Sequence, residues 1–266
     1  MGYYVGIDLG GTNVAVGIVD ENYNIIGRAN VRTKAFHPAG EIADDMAAAA
    51  HMAAANAGIS MDEVVWVGVG TPGTVNPRTG VVGLAANLGF HDTPLGELVA
   101  ERVDKPVYVE NDANAAAYGE LKAGAAKGLD SAIMITLGTG VGGGVIIGGK
   151  VIIGEHGAGG EIGHLCVNYE ETENCGCGNR GCLEQYASAT GIVRIAKKKL
   201  VSETRPTVLC AETVTAKDVF DAVKEGDQVA QEIAEEFGSY LGYALANLAV
   251  VADPSVFVIG GGVSKA

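Results

Sequence analysis

The sequence predicts an α/β protein of two related domains with a cleft between them. Three observations carry that expectation. At 266 residues the chain is long enough for one large domain or two smaller ones. Ile7-Asp8-Leu9-Gly10 has a counterpart in Ile135-Thr136-Leu137-Gly138, and after each copy come a Gly/Thr-rich turn, a Val/Ile strand, a short turn and a third strand. Glycine turns follow predicted strands three times, at 10–11, 138–144 and 260–262, and three such turns are much harder to place by chance than one. The 40 glycines are about double the usual share, which suits tight turns and close backbone approach to ligands. The first domain is placed at 1–112 and the larger second one at 113–266, the latter carrying a loop over 164–182.

The elements follow in order. Tyr3 to Asp8 is β-rich, Gly10-Gly11 turns it, Val14 to Val19 is the second strand, and Ile25-Ile26 opens the third. An Ala- and Met-rich helix is predicted from Glu41 to Ala57, stopped by Gly58. Val64 to Val69 is too short for a typical helix and reads as a buried strand, with Trp66 in the core and a Thr71-Pro72-Gly73-Thr74 loop at its end. Val107 to Val109 is a strand, and Asn111 or Asp112 caps a helix over 113–125. The second copy of the repeat runs to Val151–Ile153. Helices are then predicted over 185–200, 216–225 and 228–251. Asp253-Pro254 breaks the last one, and a strand over 256–259 runs into Gly260-Gly261-Gly262. Such a strand and turn ordinarily feed a further helix, so the sequence reads as stopping short of a natural end.

Eighteen basic against 32 acidic residues give a net charge of −14, which argues against a nucleic-acid partner. The one basic run, Lys197 to Lys199, reads as a solvated helix end favoured by the macrodipole. No signal segment opens the chain, and the longest apolar stretch, Leu241 to Ala252, is shorter than a membrane span. A soluble, reduced, cytoplasmic protein without a membrane partner is the expectation.

Several motifs carry chemistry. Asp8-Leu9-Gly10-Gly11-Thr12-Asn13 offers backbone N–H groups and a hydroxyl to a phosphate and a carboxylate to Mg²⁺; the same residues would serve a plain hairpin turn. Gly138 to Gly144 matches G-x-G-x-x-G, but a strand rather than a helix follows, so a second phosphate cradle fits better than a dinucleotide fold. In Glu110-Asn111-Asp112-Ala113-Asn114, Asp112 is placed to take a proton from a hydroxyl or merely to cap a helix, and the asparagines suit sugar hydroxyls. His164, Cys175, Cys177 and Cys182 supply the four ligands of a closed, structural Zn²⁺ site; a loop of buried free thiols is the alternative. Glu184 lies two residues beyond. Cys166 and Cys210 read as core. His37, His51, His91 and His156 have no evident partner.

Asp8 to Asn13, Glu110 to Asn114, Leu137 to Gly144, Glu161 to His164, the Cys-x-Cys-Gly-x-x-Gly-Cys-Leu-Glu run at 175–184 and the final Gly-Gly-Gly together resemble the ROK family of bacterial sugar kinases and related repressors, in order over essentially the whole chain. The resemblance implies the actin-like ATPase fold, a duplicated ribonuclease H-like unit. It implies transfer of the γ-phosphate of ATP to the 6-hydroxyl of glucose, with Mg²⁺ accompanying ATP. Fructose, N-acetylglucosamine or N-acetylmannosamine as substrate, polyphosphate as donor, and a sugar-sensing repressor are the alternatives. Repressors of the family carry an N-terminal helix-turn-helix domain, for which a first strand at Tyr3 leaves no room. The resemblance makes Asp112 the catalytic base. It makes Gly73, Asn87, Asn111, Asp112, Glu161, His164 and Glu184 sugar contacts, His164 serving zinc as well. It assigns Asp8, Gly10, Gly11, Thr12, Asn13, Gly138, Thr139, Gly140, Gly261 and Gly262 to the nucleotide. It favours a homodimer or homotetramer. Family chains continue past the Gly-Gly-Gly, so an exposed apolar seam is expected near it.

Overall fold

The computed structural model describes residues 2–155 and 157–266, which leaves Met1 and His156 outside. The chain divides into two compact units, Met1–Lys127 with Ile153–Gly159, and Gly128–Ile152 with Gly160–Ala266.

The first unit contains β1 (Tyr3–Leu9), β2 (Asn13–Val19), β3 (Ile25–Arg32), α1 (Ala39–Ala57), β4 (Val64–Thr71), β5 (Thr74–Asn76), β6 (Val81–Ala85), β7 (Phe90–Thr93), α2 (Leu95–Val103), β8 (Val107–Asn111) and α3 (Asp112–Ala123). Its main sheet has the order β3-β2-β1-β4-β8. The first three strands are antiparallel neighbours, and β4 and β8 are added parallel to β1. Val5, Ile7 and Leu9 on β1 and Val67 and Val69 on β4 point into one core, which includes Ile42, Met46, Ala50 and Ala53 of α1. Small side chains let α1 sit close on the sheet. A Cβ on Gly27 of β3 would fall 2.5 Å from the Ala53 carbonyl oxygen, so only glycine fits there. Gly58, at φ +73°, ends α1 as expected.

Trp66 departs from expectation. Alternation along β4 sends Val67 and Val69 into the core and Trp66 to the other face, where it is 38% exposed between Tyr4 and Tyr108. The apolar run suggested a buried strand, but α1 covers only one of its faces. The small β5-β6-β7 sheet and α2 were not anticipated. The first unit also extends beyond residue 112, because α3 packs on β4; a Cβ on Gly70 would meet Ala115 at 3.5 Å.

The second unit contains β9 (Ala132–Leu137), β10 (Val141–Ile147), β11 (Lys150–Val151), α4 (Glu184–Ala187), α5 (Ala189–Ser202), α6 (Ala216–Lys224), α7 (Gln228–Ala252) and β12 (Phe257–Gly260). Its sheet order is β11-β10-β9-β12. Here too three antiparallel neighbours are followed by a parallel addition, one strand where the first unit has two, so the repeat seen in the sequence is a repeat of topology. Ile133, Ile135 and Leu137 of β9 pack with Ala244, Leu245 and Leu248 of α7. A second cluster joins Ile192 and Ile195 of α5 to Val219 of α6 and Ile233 of α7.

The helix predicted over 185–200 is two helices. Ser188 is extended between them and caps α5, its hydroxyl accepting the Gly191 N–H. The lysine run is not simply solvated: Lys198 pairs with Glu173 and Lys199 with Glu232. His37 has a partner, Glu41, at 3.0 Å, whereas His51 and His91 are exposed. Cys166 is half-buried, and Cys210 is exposed, its thiol donating to Glu212 rather than joining the core. Tyr243, Val250 and Val251 of α7 and Ile259 of β12 present exposed apolar surface, as the sequence suggested. No helix among the described residues is long and apolar enough to cross a membrane.

Candidate active site and metal centre

In the first unit the candidate residues gather at the C-terminal ends of the parallel strands. Asp8 is the last residue but one of β1, and Asp112 follows β8 as the first residue of α3. Both keep solvent contact, yet surrounding protein atoms desolvate them and push both carboxyl groups above the ordinary aspartate value. The charge of Asp112 raises Asp8 further, while the Ala113 N–H partly offsets the rise at Asp112. The helix cap is Asn111, not Asp112. Its Oδ1 accepts from the N–H groups of Ala113 (2.9 Å) and Asn114 (3.2 Å), and its Nδ2 donates to the Gly73 carbonyl (3.1 Å). Gly73 is itself fixed as glycine: φ is +93°, and a Cβ would lie 2.0 Å from the Leu84 oxygen.

The turn of Gly10 to Asn13 is the hairpin that joins β1 to β2, closed by the Gly10 N–H donating to the Asn13 carbonyl (2.9 Å). Asn87 lies against it, 3.3 Å from where a Cβ of Gly11 would be. Sequence reasoning missed Thr33. Its hydroxyl donates to the Gly10 carbonyl (2.7 Å) and its N–H to the Thr12 carbonyl (2.8 Å), so it pins the turn from β3's side. A threonine just past a strand carries no signal that would have singled it out.

In the second unit, His164 closes a short 3-10 turn, Ile162–His164, which the exposed Glu161 precedes. The turn lies hard against β10, since a Cβ on Gly163 would be 2.1 Å from the Val141 oxygen. The donor atoms of His164, Cys175, Cys177 and Cys182 all lie within 4.8 Å of one another. His164 Nδ1 is 3.8 Å from Cys175 Sγ, and Cys177 Sγ is 3.6 Å from Cys182 Sγ. A tetrahedral ion with bonds of about 2.3 Å to sulfur and 2.0 Å to nitrogen separates its ligands by roughly 3.5–3.8 Å, so the donor set fits a metal. Burial pushes the Cys175 and Cys182 thiols up, as expected of a cluster whose thiolates need a cation beside them.

A salt-bridged arm of this loop, Glu171 and Glu173, is clipped to α5. Glu171, its side chain 7% exposed, accepts from the Tyr186 hydroxyl (2.5 Å) and pairs with Arg194, which also reaches Glu173 at 2.8 Å. Burial opposes the Glu171 charge, but Tyr186, the Glu173 N–H and Arg194 together hold its carboxyl down at about 2. Glu184 opens α4. Its Oε2 accepts the Val141 N–H (3.0 Å) at the end of the second glycine turn, and its Oε1 is 3.9 Å from Cys175 Sγ. The third glycine turn rests on the same strand end: Gly261 has φ +91°, and a Cβ there would be 2.3 Å from the Leu137 oxygen. Thus Glu184, the glycine turn at 138–140 and the metal cluster are neighbours within one unit.

A repeated α/β unit with desolvated aspartates at strand ends, glycine turns at matching positions and a Cys₃His cluster defines the sugar-kinase branch of the actin-like fold. The ROK family model matches residues 4–266, and the chain belongs to that family. It is 42% identical over 271 residues to a glucokinase of Streptomyces coelicolor, covering 99% of this chain and 83% of the relative. Identity to a glucokinase of Halalkalibacterium halodurans is 39% over 269 residues, covering 99% of this chain and 81% of that one. Among solved structures, a ROK family glucokinase from Streptomyces griseus in complex with glucose and AMPPNP is similar at a TM-score of 0.80 and 40% identity, covering 99% of this chain and 84% of that one.

Proposed function

We infer that this protein is an ATP-dependent glucokinase: the 6-hydroxyl of glucose attacks the γ-phosphorus of ATP, Asp112 takes the hydroxyl proton, and ADP leaves. The observation that carries the reading is Asp112 itself. It is desolvated, with the N-cap position of α3 taken by Asn111 and one N–H, that of Ala113, donated to its own carboxylate, in a chain 39–42% identical to glucokinases over almost its whole length. A carboxylate whose proton affinity is raised is a better base than an ordinary aspartate, and a positioned base contributes about 10²–10⁴-fold. Gly73, Asn87, Asn111, Glu161, His164 and Glu184 hold the sugar hydroxyls; neutral amides and acceptor carboxylates suit them. The turns at 10–13, 138–140 and 261–262 receive the nucleotide through backbone N–H groups. Mg²⁺ arrives with ATP as part of the substrate and neutralises phosphate charge, and the Asp8 carboxylate would help to hold the ion. Zn²⁺ takes the His164, Cys175, Cys177 and Cys182 site, where four protein ligands make it structural.

The test is ADP release with Mg-ATP and glucose, against no sugar and against fructose, N-acetylglucosamine and N-acetylmannosamine. Preference for glucose supports the reading. Preference for an N-acetylhexosamine would keep the kinase and change its substrate.

A further inference from the structure

The turn from Gly138 to Gly140 carries one short side chain, so its geometry has to be imposed by its surroundings. The junction of α4 and α5 imposes it. The Ala189 N–H donates to the Gly138 carbonyl (2.8 Å), and the Thr190 hydroxyl donates to the Thr139 carbonyl (2.9 Å). Ser188 Oγ lies 2.9 Å from Thr190 Oγ1. The Ser188 hydroxyl donates to the Glu184 carbonyl (2.7 Å) and the Thr190 hydroxyl to Thr139, so the contact between the two hydroxyls carries no proton of its own.

These two bonds have a consequence for the N–H groups of the turn. A trans peptide is planar, with its C=O and N–H pointing in opposite directions. Drawing the Gly138 carbonyl toward α5 turns the Thr139 N–H away from α5. Drawing the Thr139 carbonyl the same way turns the Gly140 N–H away too. Two successive N–H groups aimed to one side form an anion-binding concavity. We propose that Thr190 is a positioning residue of the phosphate-binding turn: by holding the Thr139 carbonyl, it aims the Gly140 N–H at a phosphate oxygen of ATP. The proposal rests on the nucleotide role given above to residues 138–140. Of the two bonds that set these peptides, that of Thr190 is the one a side-chain substitution can remove.

Three variants of the intact protein test it, with Mg-AMPPNP affinity and glucose affinity measured separately by calorimetry and KM for ATP and kcat by ADP release. Thr190 is exposed, so Thr190→Val removes the hydroxyl at nearly constant shape. Thr190→Ser restores it. Gly138→Ala is the control for the nucleotide role, since a Cβ there meets only the Gly140 oxygen, at 4.0 Å, and φ is not in the left-handed region. The expected result is Mg-AMPPNP binding about two- to tenfold weaker in Thr190→Val, the loss of one hydrogen bond. KM for ATP rises with it, glucose affinity is unchanged, and Thr190→Ser recovers. If Gly138→Ala weakens the nucleotide and Thr190→Val does not, the proposal fails while the nucleotide turn stands. An equal loss in Thr190→Ser, or an equal loss of glucose affinity, also overturns it. If Gly138→Ala binds Mg-AMPPNP normally, the nucleotide role of the turn falls, and this proposal with it.

Discussion

Replacing Gly140 by alanine separates folding from sugar binding. The new Cβ would lie 2.4 Å from Glu184 Oε2 and 3.3 Å from the carboxyl carbon. Gly140 is not in the left-handed region, so the backbone accepts the alanine. What must move is the end of a flexible side chain. Glu184 therefore swings away and gives up the Val141 N–H at 3.0 Å. A hydrogen bond to a charged group is worth about 1.5–3 kcal/mol. If Glu184 bonds a sugar hydroxyl, its displacement should weaken glucose binding roughly 10- to 100-fold. Calorimetric titration of glucose without nucleotide reads this directly, and a thermal melt confirms that the variant is folded. A folded Gly140→Ala protein that binds glucose within twofold of the parent would refute the assignment of Glu184 to the sugar.

Asp112→Asn should keep glucose binding and lose about 10²–10⁴-fold in turnover, and a loss under tenfold would remove Asp112 as the base. In the parent, the base works only when ionised and its carboxyl is raised. The acid limb of kcat/KM should therefore fall at a pH above the ordinary aspartate value, and Asp112→Asn should abolish that limb. Stripping the metal with a chelator should lower Tm. If the ion acts as a cross-link closing the loop from His164 to Cys182, it stabilises by about 3 kcal/mol. For a chain of this size that is a fall of roughly 6–12 °C. An unchanged melt after verified metal removal would refute the structural role.

The repeat was legible because β1 and β9 share an Ile-x-Leu-Gly ending, at 7–10 and 135–138, and run into the same kind of glycine turn. The Cys₃His cluster was legible because cysteine and histidine at short spacing have few other uses in one loop. Local chemistry also marked the end of α1 at Gly58 and narrowed the cap of α3 to Asn111 or Asp112, of which the structure uses Asn111. What sequence reading missed depends on distant partners. β5, β6 and β7 are short, and their pairing across Gly- and Pro-containing turns is not encoded in any one of them. Trp66 looked buried because hydrophobicity cannot tell which sheet face a helix will cover. Ser188 breaks a helical pattern whose apolar period continues through it, so only its capping hydroxyl marked the join. Thr33 and Thr190 act through carbonyls far away in sequence, for which no local signal exists.

The loop that carries the cysteines is tethered twice, by two kinds of chemistry. Its Cys₃His end, with a metal bound, would answer to chelators and thiol reagents. Its acidic arm answers to salt and acid: Glu171 is held at about 2, so its hold on Arg194 and Tyr186 is present above the ordinary glutamate range and is lost as pH falls toward 2. An insult that cuts one tether leaves the other fastened. A loop released at one end only remains within reach of its own ligands, so reassembly is a local search of a short leash rather than a refolding of the unit.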